Sequence, residues 1–439
     1  MRERILAFPF LLLLLHLQTI ADAQQLINIT LKTIQLQKMP GLQSFAAAQY
    51  QGKWVLIGGR TDGLHMKQPF AAFDPGYNNT DIVVVDFLNK KVLRSSVLSL
   101  PQPLSEQLQS SNMEFVQRGE LLYLFGGYGY STSQKKFVTH PRITVIRLPL
   151  LIEAVFKNTT IEPCVYSMED ERMAVTGGGA GFLNNRFYII GGQKFTGRYN
   201  PHGPDHGPGF LQEYTNEIRS FQLELNKTSI SVKNYKAIKD DAELHRRDYN
   251  LVPQIFPSGK QGFTVFSGVF QYKENLPWLH PVDIFETTYL PNKQFEQRYN
   301  HYHSAHLPVF SRQQNQMHTI FFGGIAQFYR EKGIVKEDTE VPFVNTISQV
   351  SRLANGAIQE QALDVTMPGL LGSSAWFVIN EQQPQFESGI LDWDALAKGE
   401  QLVGFILGGI SSSAPNIFWP NTGEQSTASA SIIAVYIRK

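Results

Sequence analysis

Six times along the chain an apolar run ends on a pair of small residues, and five of those pairs are Gly-Gly. The runs close on Gly58-Gly59, Gly126-Gly127, Gly191-Gly192, Ser267-Gly268, Gly323-Gly324 and Gly408-Gly409. Each holds four to six apolar or β-branched residues with no helical period, which reads as a strand buried on both faces. Paired glycines suit a sharp exit with positive φ and close backbone approach. Six copies at irregular spacings of roughly 55 to 85 residues read as a repeat array carrying inserted loops.

A second apolar strand follows each pair after an insert. These strands are residues 81–86, 143–148, 216–221, 282–285 and 345–350, and the last run is 431–437. Helical signals are confined to 148–156 and 392–398, within loops. One such unit cannot bury its own faces, so neighbouring sheets must stack, and radial stacking leaves only short edges. The expected fold is all-β, a six-bladed β-propeller. Segment 26–31 alternates with period 2, and we expect it to share the closing blade with 431–437.

The apolar run with its double glycine resembles the kelch-repeat family of β-propellers, and the resemblance covers nearly the whole chain after residue 23. Most repeats depart from the family by lacking its Trp after the glycines, and Ser267 replaces a Gly. The resemblance is to secreted bacterial kelch-like proteins, and the galactose oxidase type of propeller belongs to the same group. It implies fold and export and leaves the reaction open. The copper-and-cysteine signature of galactose oxidase has no counterpart around Cys164.

Composition bears mainly on compartment. Arg2 and Arg4 precede an apolar stretch, and Ala21-Asp22-Ala23 is a small-x-small cleavage site. The apolar stretch is interrupted at about 15 residues, short of the ~20 that a membrane span needs, so no transmembrane segment is expected. The reading is a signal peptide over 1–23 and one propeller domain over 24–439, exported to a periplasm or the extracellular space. A single cysteine excludes an internal disulfide and favours a bacterial envelope. Net charge is +1, which gives nucleic acid no electrostatic footing. Asn28, Asn78, Asn158 and Asn226 head N-x-[ST] triplets, glycan acceptors only on a eukaryotic route.

In a propeller the innermost strands line the central channel and should precede each glycine run. They are expected within 43–50, 111–117, 172–178, 245–253, 301–308 and 372–378. Two of these segments are unusually polar. Aligning Pro253 with Pro308 sets Asp248 beside His303 and Arg246 beside His301. Strand alternation would turn either Arg246 with Asp248, or Arg247 with Tyr249, toward the channel. We favour Asp248 inward, where its carboxylate would raise the pKa of the His303 imidazole by charge pairing. Asp248, His303 and Glu114 are the candidate acid–base groups. Arg60, Tyr128, Lys194, Arg246, Arg247 and His301 are the candidate ligand contacts. Aromatic rings beside Arg and Lys in the loops after the glycines suit a sugar.

No H-E-x-x-H, G-x-S-x-G or Walker motif occurs, and no metal or cofactor is expected. Three functions fit. The first is binding of a small polar ligand, a carbohydrate above all, at the channel mouth. The second is a sugar epimerase or mutarotase acting by acid–base chemistry in the channel. The third is a structural or protein-interaction propeller. Export predicts a mature N-terminus at Gln24, and N-terminal sequencing of the native protein checks it. An intact Met1 would end that reading.

Overall fold

The computed structural model describes residues 26–226 and 229–439. The signal-peptide reading over 1–23 lies outside the described residues. The protein is an all-β, six-bladed β-propeller, 7% helical. Each blade is an antiparallel sheet whose innermost strand packs against the innermost strands of both neighbours. From blade one to blade six these strands are Ala46–Tyr50, Glu114–Arg118, Gly179–Leu183, Asn250–Ile255, His306–Ser311 and Ala375–Ile379.

The glycine runs form the second strand of every blade, for example Leu121–Phe125 in blade two and Arg186–Ile190 in blade three. Apolar side chains from both faces enter separate clusters, one per seam between blades. Val55, Ile57, Leu122 and Leu124 share the seam of blades one and two. Phe125, Phe187 and Ile189 share the next. This is why the runs are apolar at every position rather than at alternate ones.

Blade six contains both ends of the described chain. Asn28–Ile34 pairs antiparallel with Ile432–Arg438, which pairs in turn with Glu400–Gly408. Leu148–Lys157 is a helix, as expected. Segment 392–398 is not helical: Leu391–Asp392 instead adds a short parallel pairing to the inner strand of blade five. Gln102–Leu108 is a helix that no sequence signal announced.

The double glycines stitch the blades together. The second residue of each pair donates its N–H to a carbonyl of the next blade. The six bonds are Gly59 to Ser110, Gly127 to Val175, Gly192 to Arg246, Gly268 to His301, Gly324 to Leu371 and Gly409 to Leu42. Both residues of every pair have positive φ, between 51° and 101°. The first position is closed to side chains for a second reason. A Cβ on Gly126 or Gly323 would lie 2.0 Å from the carbonyl oxygen that accepts the stitch.

Ser267 is the exception and shows the cost. Its φ is 60°, and its hydroxyl is buried with no partner. Five stitches measure 2.8–2.9 Å, and the one beside Ser267 is stretched to 3.3 Å, the Cβ holding the His301 carbonyl away. Replacing Ser267 with Gly should therefore raise stability by about 1–2 kcal/mol, from relieved left-handed strain and removal of an unsatisfied hydroxyl. Gly126→Ala should lower it by about 2–4 kcal/mol. Denaturant unfolding of the two variants measures both.

Candidate functional site

After the stitch residue, each chain segment runs for two more residues before or into its inner strand, and these build the site. The first pairs back to the residue that follows the double glycine: Gln43 to Arg60, Ser111 to Tyr128, Thr176 to Gln193, Arg247 to Val269. The second residues are Ser44, Asn112, Gly177, Asp248 and His303; blade six carries one residue more, and there Ser374, three beyond Leu371, takes the same place. Five of the six have φ between 51° and 66°, His303 being the exception. Their backbones join around the channel. Asn112 donates to Ser44, Ser44 to Ser374, Ser374 to His303, His303 to Asp248 and Asp248 to Gly177, at 2.7–3.1 Å. The sixth link differs: the Thr176 hydroxyl donates to the Asn112 carbonyl at 3.1 Å.

This ring constricts the channel. Above it lies a cavity of about 180 Å³, room for about six waters. Its polar wall includes all six ring residues with Arg247, Tyr199 and Tyr302. Its apolar wall includes Phe73, Phe195, Phe270 and Phe418. Below the ring a smaller space of about 60 Å³ is lined by Glu114, Asp248, His303, His306, Tyr249 and Trp376. Hairpins after the glycines form the rim, among them Gln193–Gly197 with Phe210–Tyr214 and Ile410–Ser412 with Ser426–Ala428.

The expected site residues separate into three groups. Asp248, His303 and Arg247 line the upper cavity, and Asp248 and His303 also reach the lower one. Arg247 pairs with Asp248, donates from Nε to the Tyr214 hydroxyl (3.0 Å), and lies over the Phe270 ring. Glu114 sits beneath the ring and accepts the Gly178 N–H at 2.7 Å.

Arg60 and Tyr128 line the cavity but are already committed. Arg60 donates to Asp62 at 2.8 and 2.6 Å, to Asn78 at 3.0 Å and to the Asp74 carbonyl at 3.1 Å. The Tyr128 hydroxyl donates to the Gly197 carbonyl and accepts the Tyr199 N–H, fixing the blade-three loop.

Lys194, Arg246 and His301 do not join the cavity wall. Lys194 pairs with Glu171 at the surface. Arg246 is buried over Trp278 and donates to the carbonyls of Glu243, Ser267 and His280. His301 is buried, donating from Nε2 to the Gln297 carbonyl and accepting the Gln327 N–H at Nδ1. Arg246 and His301 are equivalent, as aligned, but they are the stitch residues and tuck between blades. Alternation fails because the polar segments precede the inner strands, which begin only at Asn250 and His306. The left-handed Asp248 then lets Arg247 and Asp248 face the cavity together.

Electrostatics also differ from expectation. Burial drives the His303 imidazole down to about 4, so it is neutral near pH 7. Burial alone sets this shift, and charge pairing does not raise it. Burial raises the Glu114 carboxyl to about 8; Asp248 adds repulsion, and the Gly178 N–H opposes. His65, on the rim beside Phe73 and Tyr199, is likewise lowered to about 4 by burial. Sequence reasoning missed Phe73, Phe418, Asn112 and Ser374. The aromatics come from long inserts with no repeat period, and the two ring residues are ordinary turn formers.

Between pH 4.5 and 8 the folded chain keeps the Glu114 proton and the unfolded chain loses it. Stability must therefore fall as pH rises through that window. Glu114→Gln keeps the acceptor for Gly178 and removes the ionisation. It should be more stable than the parent at pH 8 by a few kcal/mol, the gap closing toward pH 4.5. Melting curves of both proteins across that range give the measurement.

No protein-family model matches the chain, and no curated protein matches it. Among solved structures the chain is similar to that of YjhT, at 11% identity and a TM-score of 0.47, over 92% of this chain and 99% of that one.

Proposed function

We propose that the chain is an exported propeller of the kelch type that holds one small polyhydroxylated molecule, a carbohydrate, in the cavity above the ring. The observation that carries this is a concentration of unspent polar groups. Among the described residues, the side chains of Asn112, His303 and Ser374, Oδ1 of Asp248 and the hydroxyls of Tyr199 and Tyr302 have no hydrogen-bond partner. All six belong to residues that line the same cavity. All six residues are only partly buried, so these donors and acceptors stay open to the cavity and to a polar molecule held in it. The aromatic rings beside them supply flat apolar faces for C–H surfaces, and the volume suits a single sugar ring rather than a chain.

A second reading, an epimerase or mutarotase, is favoured by one observation. Glu114, held protonated near neutral pH, shares the space below the ring with Asp248 and His303. A proton donor and acceptors in one space are what acid–base catalysis requires.

A carbohydrate array followed by calorimetry tests the binding reading. Asp248→Ala should weaken binding roughly tenfold or more while the protein stays folded. A lower melting temperature with unchanged affinity would make Asp248 a purely structural tie. Absence of any carbohydrate binding would sink the proposal. NMR of anomeric exchange with the bound sugar separates binder from enzyme, and only the enzyme speeds the exchange.

A further inference from the structure

The ring of backbone bonds is complete except at one step. Five ring residues donate their N–H around the channel, and Gly177 does not. The carbonyl it would otherwise engage, that of Asn112, is taken by the hydroxyl of the preceding residue, Thr176. Among the described residues the Gly177 N–H has no acceptor. Gly177 borders both the upper cavity and the space below the ring, so this donor sits at the constriction itself.

Its neighbour supplies the opposite polarity. A Cβ built on Gly177 would lie 2.7 Å from Oδ1 of Asp248. That oxygen is the unspent one, since Oδ2 takes the Arg247 guanidinium. The gap therefore presents one free N–H donor and one free carboxylate acceptor within reach of a single small group. A carboxylate or phosphate of a ligand would satisfy the N–H and be repelled by Asp248. An ammonium would satisfy Asp248 and leave the N–H unmet. A hydroxyl, donor and acceptor at once, satisfies both.

We propose that the break at Gly177 is a hydroxyl-binding notch that fixes which hydroxyl of a neutral polyol enters the ring. This rests on the carbohydrate reading above and adds the position and charge class of the ligand to it. The hydroxyl accepts from Gly177 N–H and donates to Asp248 Oδ1. Other ring positions carry side chains at a similar φ, but glycine is needed here because any side chain would occupy the notch.

The test uses the full chain. Carbonyl-13C threonine with 15N glycine labelling selects the amides of Thr-Gly pairs, which are Gly177, Gly197 and Gly423. The probes are glucose, galactose, mannose, their monodeoxy forms and myo-inositol. The expected result is that a binding sugar shifts the Gly177 amide and leaves Gly423 unmoved. One monodeoxy form of that sugar should bind roughly tenfold or more weakly, the others near parity. Gly177→Ala should lose that discrimination along with affinity. A sugar that binds with the Gly177 amide unmoved, or with a flat deoxy series, overturns the notch and leaves the carbohydrate reading standing. Failure of every probe to bind overturns both.

Discussion

Everything in this propeller hangs on one backbone hydrogen bond repeated at six seams. The second strand of each blade must turn away from its sheet and, in the same two residues, offer an N–H to the next blade. Two successive left-handed residues achieve this, and the first is glycine in five blades of six, because a Cβ there crowds the carbonyl that accepts the bond; Ser267, the sixth, has the longest stitch. The apolar clusters between blades provide the bulk of the cohesion, but they are not directional. The stitches set the angular register in which the clusters meet.

The same register makes the site. Because each stitch fixes a residue next to an inner strand, the residues that follow arrive at the channel at one height from all six blades. Their backbones close on each other and leave their side chains around a common axis. The polar character of the channel mouth is thus a by-product of how the blades are fastened, and a ligand site needs only suitable side chains at positions already held still.

The fold was legible because its decisive constraint is compositional: glycine meets both demands best and fills eleven of the twelve places, so the pairs stand out in a single chain. Blade closure was legible too, from period-2 alternation at residues 26–31 and the apolar run at 431–437. The site was legible in its alignment and obscure in its orientation. Asp248 and His303 do occupy equivalent places, and so do Arg246 and His301. Which of them faces the channel depends on backbone angles at Asp248 that no period-2 rule contains. Arg246 and Arg247 are neighbours of identical chemistry, yet one is a buried tie and the other a cavity wall. Lys194 lies in the hairpin strand Gln193–Gly197 at the rim, and its surface partner Glu171 precedes it by 23 residues. Phe418 reaches the mouth from an insert between Ile410–Ser412 and Ser426–Ala428, where sequence carries no period to read.

The pairing of Asn28–Ile34 with Ile432–Arg438 has a consequence for the order in which the molecule assembles. These strands are separated by roughly 400 residues, and closing a flexible loop of that length costs about 5 kcal/mol of chain entropy. The cost falls steeply once the intervening blades have stacked, because the two strands are then separated by one gap in a rigid arc instead of a long coil. Closure is therefore expected to come last. Until it occurs, the two faces that meet at the seam of blades six and one stay open, with Leu56, Val83 and Val85 on one side and Phe405, Ile432 and Ala434 on the other. An open arc of this kind has two adhesive ends, and the same complementarity that completes the ring in one molecule would, between two molecules, join arc to arc.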